Sequence, residues 1–330
     1  MRVGENPAKF GGPPPAAAPV TVALATYIPV ETGYFAQSLD VLRLSLTSLL
    51  AHTPRPFDLM VFDNGSCPAV VGYLSDLKEK GQIQYLVLSE ENVGKTGAWN
   101  FIIGAAPGEY LAYADSDVYF HPGWLEAELR VASAFPNAGM VSGFPAMHAF
   151  GYYTDSTLEL AETDPAIAVE RGQFTPDEWI VDWGQSLGQD PVAFLATCRQ
   201  LEQVLLTRDG VSAFAVATHF QFLAPLAALR SIWPLSGQKL VGAESVLDER
   251  LDRAGFARLA VDRPVVNHLG NELSPEWREA AATLGLGAGG RRERSTRGTG
   301  RLLRWGPVRR VVIELYRFAS KLMMRSLDQA

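Results

Sequence analysis

The chain has 330 residues, of which 47% are hydrophobic and 20% are charged, and its formal net charge is −7. This composition excludes a disordered, a collagen-like and a membrane-embedded chain, and the length suffices for one large or two ordinary domains. Two cysteines cannot form a disulfide framework, so we expect a cytoplasmic protein in a reducing compartment.

Charge is distributed unevenly along the chain. Residues 291–330 hold 11 Lys and Arg against 3 Asp and Glu, whereas residues 1–290 hold 18 against 33. An acidic body disfavours nucleic acid as a partner. The basic end of the chain favours a separate anionic partner.

Composition and pattern divide the chain into three predicted regions. Residues 1–18 are a flexible leader, because their run of Gly, Pro and Ala cannot bury a face or sustain a helix. Residues 19–283 form the folded domain, with a first half over 19–145 and a second over 146–283. Residues 284–330 hold a Gly/Arg linker and a basic amphipathic helix.

Short apolar runs alternate with helical patterns after residue 19. The predicted strands are Val20–Ala25, Phe57–Phe62, Ile83–Leu88 and Tyr110–Ala114. Apolar residues at helical spacing separate them over 39–50 and 98–105. This alternation indicates an α/β fold with a mostly parallel sheet covered by helices on both faces. In such sheets ligands bind beyond the carboxyl ends of the strands.

The second half is less regular. We predict a strand over 138–146, a helix over 240–256 and a strand over 258–267. Between them, residues 147–192 show little periodicity but are rich in aromatic and acidic residues. A segment of this length is typical of a binding loop or lid. A surface excursion with its own small apolar cluster is the alternative.

Polar residues follow each of the four predicted strands. They are Thr26 and Tyr27, then Asp63, then Asn92, Gly94 and Lys95, and finally Asp115 and Asp117. Because the carboxyl ends of parallel strands meet at one edge of the sheet, we expect these four groups to converge there. Their convergence is stronger evidence for a site than any one group alone.

The Asp115-Ser116-Asp117 motif suits a divalent cation. Alternate residues of an extended chain point the same way, so both carboxylates would face the ligand edge. Such an anionic, oxygen-rich site favours Mg²⁺ or Mn²⁺, which can bridge a diphosphate. An Asp-rich turn between a strand and a loop is the alternative.

The other three groups suit a nucleotide. The Asp63 carboxylate can accept a hydrogen bond from a base N–H, and Thr26 and Tyr27 can flank the same base. Gly94 allows the backbone to approach a ligand closely, and Lys95 can pair with a phosphate. Ordinary turn and loop chemistry is the alternative for each group.

Taken together, these motifs resemble glycosyltransferase family 2, the inverting enzymes of the GT-A fold. The resemblance rests on Val22–Tyr27, Val61–Ser66, Asn92–Gly94, Asn100 and Asp115–Asp117. A second block, over 242–256, resembles the acidic helix motif of that family. The resemblance extends over residues 20–145 and 237–270.

The resemblance implies a GT-A domain over 19–283, with a nucleotide-sugar half followed by an acceptor and catalytic half. It implies a nucleotide-diphosphate sugar donor, a hydroxyl acceptor that can be lipid-linked, and Mn²⁺ or Mg²⁺ as cofactor. Asp63 corresponds to the base-recognising residue, and Asp115 to the residue near the ribose and the metal. Asp117 corresponds to the metal ligand, and His268 to the histidine that many relatives add to the metal or diphosphate.

The family's catalytic base corresponds to Glu244. Most relatives have Glu-Asp here, whereas this chain has Ala243-Glu244. A carboxylate at this point could deprotonate the acceptor hydroxyl as it attacks. Acidic residues also favour the first turn of a helix for electrostatic reasons alone. Asp248, one helical turn further, is the reserve candidate.

Other functions and partners remain as alternatives. A non-catalytic module that binds sugar nucleotides or glycans would share this fold. A nucleotidyltransferase is disfavoured, because no Gly-rich loop follows the first strand. The basic amphipathic helix over 307–327 could contact an anionic membrane surface, which would make the protein peripheral. The alternative is that it packs its apolar face on the body of the protein or on a second subunit.

Overall fold

The computed structural model describes residues 4–237 and 244–286. Ten strands in this part of the chain form one mixed sheet, in the order β3-β2-β1-β4-β10-β6-β11-β9-β8-β7, and β5 pairs separately with β12. The strands are β1 Val20–Thr26, β2 Asp58–Asn64, β3 Tyr85–Ser89, β4 Tyr110–Asp115, β5 Val118–Phe120, β6 Ala138–Ser142, β7 Ala168–Gly172, β8 Gln203–Arg208, β9 Val211–Phe214, β10 Gln221–Pro225, β11 Ala257–Val261 and β12 Val266–His268.

Helices connect the strands and cover the sheet. They are α1 Ser38–His52, α2 Pro68–Glu79, α3 Gly94–Ala105, α4 Trp124–Ala134, α5 Asp155–Thr163, α6 Asp177–Ser186, α7 Pro191–Cys198, α8 Leu226–Ser231, α9 Ser245–Arg253 and α10 Pro275–Thr283. None of the helices described is long and apolar enough to cross a membrane.

Strands β1–β4, the first four of the chain, pair in parallel. β1 lies between β2 and β4, and β2 also pairs with β3. The register sets Thr26 opposite Asp63 and Ala25 opposite Asp115. The carboxyl ends of these strands therefore lie at one edge of the sheet. On the other side of β4, the neighbouring strand β10 runs antiparallel to it. Near the far edge of the sheet, β8 pairs antiparallel with both β7 and β9.

Alternate residues of the central strands pack against helices on opposite faces. Val22 and Leu24 of β1 belong to the apolar cluster that includes α1, where buried leucines recur at positions 39, 42, 46 and 49. Ala23, on the same strand, belongs to the cluster that includes Trp99 and Ile102 of α3. The predicted α/β fold with helices on both faces is thereby confirmed.

Two strand boundaries differ from the sequence predictions in a way that affects the site. Asp63 and Asn64 lie within β2 instead of after it, and Asp115 is the last residue of β4. Residues 116–117 form a turn, so the two motif carboxylates do not sit on one extended strand as predicted. Hydrogen bonding to neighbouring strands extends each strand into the polar residues that follow its apolar run.

The irregular segment over 147–192 is more ordered than its sequence indicates. It contains α5, β7 and α6, and α7 begins at its end. β7 adds to the sheet edge through β8, so this segment extends the sheet instead of leaving it. The predicted basic helix over 307–327 lies outside the described residues. Residues 238–243, which include the start of the predicted helix over 240–256, also lie outside them.

Candidate active site

Seven of the ten predicted site residues line one cavity of about 300 Å³ at the carboxyl edge of the sheet. They are Thr26, Tyr27, Asn92, Lys95, Asp115, Asp117 and Glu244. Tyr34, Phe35 and Asn271 complete part of its wall. The predicted convergence is therefore present in the fold.

Asp63 does not line this cavity but lies beside Thr26, which does, on the neighbouring strand. Asp63 is 1% exposed, and its Oδ2 accepts a hydrogen bond from the Ser66 amide at 3.1 Å. Asp63 Oδ1 and Thr26 Oγ1 are both buried without a hydrogen-bond partner in the described part of the chain. Because buried polar atoms are normally paired, these two oxygens point to a ligand or ordered water.

Two asparagines shape the loop before α3. Asn64 Oδ1 accepts from the Val93 amide at 2.8 Å, and Asn64 Nδ2 donates to Asn92 Oδ1 at 2.9 Å. Asn92 Oδ1 also accepts from the Gly94 amide at 2.8 Å. Gly94 has φ +73°, a conformation that favours glycine. The predicted Asn92 and Gly94 thus act on the loop that carries Lys95, and Gly94 does not itself line the cavity.

Lys95 pairs with Asp115 inside the cavity. Its Nζ lies 2.6 Å from Asp115 Oδ2, and the Tyr113 hydroxyl donates to Asp115 Oδ1 at 2.7 Å. Burial first, and then the charge of Asp115, raise the pKa of Tyr113 well above its ordinary value. The phenol therefore stays a hydrogen-bond donor to Asp115. Lys95 was predicted to pair with a phosphate, and in this structure its partner is a carboxylate.

The pairing of β5 with β12 brings Asp117 and His268 together. It sets His268 opposite Val118, the residue after Asp117, and His268 Nε2 lies 3.2 Å from Asp117 Oδ2. Burial opposes ionisation of Asp117, but His268 and Lys95 outweigh it and lower the pKa of the carboxyl. Burial likewise opposes protonation of His268, but Asp117 outweighs it and raises the pKa of the imidazole.

The donor set at Asp117 suits a divalent ion held partly by substrate. Asp117 Oδ1 is buried and has no hydrogen-bond partner among the described residues. Residues 4–237 and 244–286 contain no group of three His, Cys, Asp or Glu side chains that could hold a metal alone. Mg²⁺ is usually bound through one or two carboxylates plus substrate phosphates, so a carboxylate with a free oxygen fits such an ion.

A second cavity of about 690 Å³ shares Lys95, Asp115 and Glu244 with the first. Its remaining wall comes mainly from the second half of the domain and is rich in rings. These residues include His148, Tyr152, Tyr153, Trp183, His219, Phe220 and His268. Glu244, the residue before α9, therefore lies where the two cavities meet.

The reserve candidate Asp248 has both carboxylate oxygens occupied. Oδ1 lies 2.7 Å from Arg258 Nη2, and Oδ2 lies 2.9 Å from His219 Nδ1. Asp248 is 5% exposed and Arg258 is 2% exposed. This geometry suits a carboxylate that fixes the position of Arg258 and His219. It does not suit a base that accepts a proton from substrate.

Sequence analysis did not assign His219, His148 or Arg258. No spacing rule connects His219 to Asp248, because they meet only when α9 packs beside the turn before β10. The one sequence signal was indirect. Arg258 is a charged residue within an apolar strand pattern, and such a residue needs a buried partner.

A third cavity, of about 1010 Å³, lies alongside the other two. It shares His268 with the second cavity and Gly270 and Asn271 with the first. Its wall includes Trp179 and Trp277. It contains neither Asp117 nor Glu244, so its size does not make it the centre of the site.

Comparison with known proteins defines the class. The model of the family described as glycosyl transferase family 2 matches residues 34–161. This segment includes the cavity residues Asn92, Lys95, Asp115 and Asp117. Over this segment the chain is similar to the family 2 glycosyltransferases, which agrees with the resemblance predicted from its motifs.

Curated relatives agree with this class over short stretches. An uncharacterized glycosyltransferase of Rickettsia felis is 30% identical over 86 residues, which are 26% of this chain and 14% of the relative. An uncharacterized glycosyltransferase of a Nostoc species is 27% identical over 121 residues, 36% of each chain. The chain thus spans about a third or less of the length of these relatives.

Two solved structures are distantly similar. Staphylococcus aureus TarS 1-349 has 12% identity and a TM-score of 0.45, with 81% of this chain and 64% of that chain covered. The mannosyltransferase PcManGT from Pyrobaculum calidifontis, in complex with GDP-Man and Mn²⁺, has 17% identity and a TM-score of 0.41, with 76% and 56% covered. At these scores the two structures carry no argument, and the similarity to the family rests on the sequence match over 34–161.

Proposed function

We propose that the protein transfers a sugar from a nucleotide-diphosphate sugar to a hydroxyl acceptor with inversion at the anomeric carbon. The observation that carries this proposal is the junction of the two cavities at Lys95, Asp115 and Glu244. A donor in the first cavity, of about 300 Å³, and an acceptor in the second, of about 690 Å³, would meet at this junction. The family 2 match over 34–161 supports the same reaction class.

In this proposal the first cavity holds the donor. The buried, unpaired oxygens of Asp63 and Thr26 accept hydrogen bonds from the base, and Tyr27 borders it. Lys95 exchanges its contact with Asp115 for the diphosphate. Asp115 then becomes free to contact the ribose or the cation.

Asp117 would hold a Mn²⁺ or Mg²⁺ ion, and His268 would contact the ion or the diphosphate. When bound, such an ion would stabilise the negative charge of the leaving nucleoside diphosphate as a Lewis acid. The Asp117 oxygen without a partner is the observation that supports this role.

Glu244 is the proposed base. Its carboxylate accepts the proton of the acceptor hydroxyl while that oxygen attacks the anomeric carbon and the bond to the diphosphate breaks. A base opposite the leaving group gives inversion. General-base catalysis of this kind typically contributes about 10²–10⁴-fold in rate.

Binding and catalysis are tested separately. UDP and GDP, each with Mn²⁺, are screened for a rise in melting temperature of the full chain, since a ligand that binds only the native state must raise it. The proposal expects stabilisation by at least one nucleotide, reduced in Asp117→Asn. If neither nucleotide stabilises the chain, donor binding is refuted.

The base is tested by nucleotide release from UDP- and GDP-sugars. We expect Glu244→Gln to lower turnover by about 10²-fold or more and to retain nucleotide binding. The matched control is Glu249→Gln on the same helix, where the carboxylate pairs with Arg253 at 2.7 Å and lines neither cavity. Equal activity of both variants would remove Glu244 from this role.

A non-catalytic binding module is the second candidate, because Ala243 stands where most relatives have an acidic residue. This alternative predicts nucleotide binding with no release from any donor by the unmodified chain. The same two assays therefore separate a binding module from an enzyme.

Localisation and the anionic partner remain predictions. The sequence predicts a cytoplasmic protein. It also predicts that the helix over 307–327 contacts either a membrane or a second subunit. A lipid-linked acceptor would suit the membrane contact.

A further inference from the structure

A buried series of hydrogen bonds holds His219 at the wall of the second cavity. Arg258 donates from Nη2 to Asp248 at 2.7 Å, and Asp248 contacts His219 Nδ1 at 2.9 Å. Arg258 is fixed in turn by the carbonyl oxygens of Tyr152, Tyr153 and Ala217 at 2.7 to 3.1 Å. The side chain of His219 is 37% exposed, so the fixed ring remains accessible from the cavity it lines.

This arrangement selects one tautomer of His219. An arginine is always protonated, so its partner Asp248 is ionised and can only accept hydrogen bonds. His219 must therefore carry its proton on Nδ1. In the neutral ring Nε2 is then a hydrogen-bond acceptor.

His148, on the wall of the same cavity, has the opposite tautomer. Its Nδ1 accepts a hydrogen bond from the Trp183 indole N–H at 3.0 Å, so a neutral His148 carries its proton on Nε2. Burial first, and then the nearby His219, lower the pKa of His148, which favours the neutral ring. The cavity thus presents one imidazole acceptor and one imidazole donor.

Most charged side chains around the two histidines pair with an opposite charge, and Glu244 adds one further carboxylate to the same wall. Lys95 pairs with Asp115, Arg258 with Asp248, and His268 with Asp117. The remaining wall is formed mainly by rings and hydroxyls, including Tyr152, Trp183 and Phe220. The Thr218 hydroxyl, on the same wall, is buried without a hydrogen-bond partner among the described residues.

We propose that His219 and His148 form an acceptor-binding pair that recognises hydroxyl groups of an uncharged sugar. A hydroxyl both donates and accepts, so it can donate to Nε2 of His219 or accept from Nε2 of His148. Aromatic walls suit the apolar face of a sugar ring. This inference rests on the proposed function and adds to it the class of acceptor.

The pair acts separately from Glu244. Glu244 lines both the first and the second cavity, whereas His219 and His148 line the second and not the first. Loss of either imidazole should therefore weaken acceptor binding and leave donor binding intact. Asp248 and Arg258 are positioning residues, because they act through His219.

The tautomers are tested first, by ¹⁵N NMR of the full chain labelled at histidine, at a pH of about 8 where ordinary imidazoles are neutral. Signals are assigned by their loss in His219→Gln and His148→Gln. We expect unprotonated Nε2 in His219 and unprotonated Nδ1 in His148. Asp248→Asn should convert His219 to a mixture of tautomers. If His219 instead carries its proton on Nε2, the proposal is overturned.

Ligand class is tested on the same samples with methyl glycosides of glucose, galactose, mannose and N-acetylglucosamine, and with glucuronic acid and glucose 6-phosphate as charged probes. At least one neutral glycoside should shift the His219 Nε2 signal. A shift with charged sugars alone, or with no sugar, overturns the assignment.

Kinetics with the glycoside that binds complete the test. His219→Gln should raise the acceptor KM by about 10-fold or more, corresponding to one lost hydrogen bond in a buried site, with a smaller change in kcat. The matched control is His52→Gln, since His52 Nδ1 contacts the Phe120 carbonyl and the side chain lines neither cavity. An unchanged acceptor KM in His219→Gln refutes the pair. Stabilisation by nucleotide is measured on each variant, so a failure of donor binding remains distinguishable from a failure of this inference.

Discussion

Two carboxylates of this domain, one partly exposed and one fully buried, have opposite environments. Asp117 lies 3.2 Å from His268, and the imidazole lowers the pKa of the carboxyl despite burial. Glu128 is 0% exposed, and among the described residues its one hydrogen-bond donor is the Gln221 amide, at 2.8 Å. Burial, partly offset by this amide, raises the pKa of Glu128 well above its ordinary value. Charge is kept where a ligand is expected, and it is suppressed within the core.

The protonation of Glu128 predicts a pH-dependent stability. The folded chain keeps a proton that the unfolded chain releases near pH 4.3, so the folded state binds more protons above that pH. The free energy of unfolding therefore falls as pH rises from the unfolded pKa to the raised folded pKa, by at most about 1.4 kcal/mol per pH unit. Glu128→Gln mimics the protonated acid and should remove this loss.

Urea unfolding of the full chain at pH about 5 and about 8 measures the effect through the extrapolated free energy. We expect Glu128→Gln to gain stability over the unmodified chain as pH rises. Glu126→Gln is the control, because Glu126 is exposed on the same helix, α4. Parallel pH profiles for the two variants would contradict a buried neutral Glu128.

At the scale of elements, β6 packs closely against the segment that follows α9. Gly139 of β6 faces Phe256, and a Cβ built on Gly139 would lie 2.4 Å from Phe256 Cβ. Glycine is required here by the close approach of a neighbouring side chain. By contrast, Gly72 of α2 is exposed and has no atom within 4 Å of such a Cβ.

These two glycines give a matched pair of substitutions. Gly139→Ala should lower the free energy of unfolding by about 1–3 kcal/mol, because the added methyl forces β6 and Phe256 apart. Gly72→Ala should raise it by about 0.5–1 kcal/mol, since alanine is the better helix former. Urea denaturation measures both. A neutral Gly139→Ala would show that this contact relaxes at no cost.

At the scale of the whole molecule, the acidic body and the basic end of the chain predict different partners. Deletion of residues 300–330 should abolish sedimentation with phosphatidylglycerol vesicles if the predicted helix over 307–327 is the membrane contact. The full chain should bind these vesicles less at high salt, because ion screening weakens surface attraction. Phosphatidylcholine vesicles are the control. Unchanged binding after the deletion eliminates the membrane role and favours a protein contact.

The elements differ in how well local patterns predict them. The four apolar runs of the first half correspond to β1–β4 within two residues at each end. β1, β2 and β4 are mostly buried and therefore have a strong apolar signature, whereas β3 at the sheet edge is apolar but partly exposed. The segment over 147–192 gives no such pattern, yet it contains α5, β7 and α6. These elements are short and partly exposed, and contacts with the rest of the sheet stabilise them. Local sequence carries little of that information.

The sequence by itself determined the α/β class, the succession of the first four long strands along the chain and the polar residues at their carboxyl ends, because periodicity and strand-end position are local properties. Only the tertiary structure decided that Asp248 is occupied by Arg258 and His219, that His268 reaches Asp117 through the pairing of β5 with β12, and that Glu244 lies between two cavities. These contacts join residues far apart in the chain. Their geometry depends on how helices and strands pack, which no single stretch of sequence specifies.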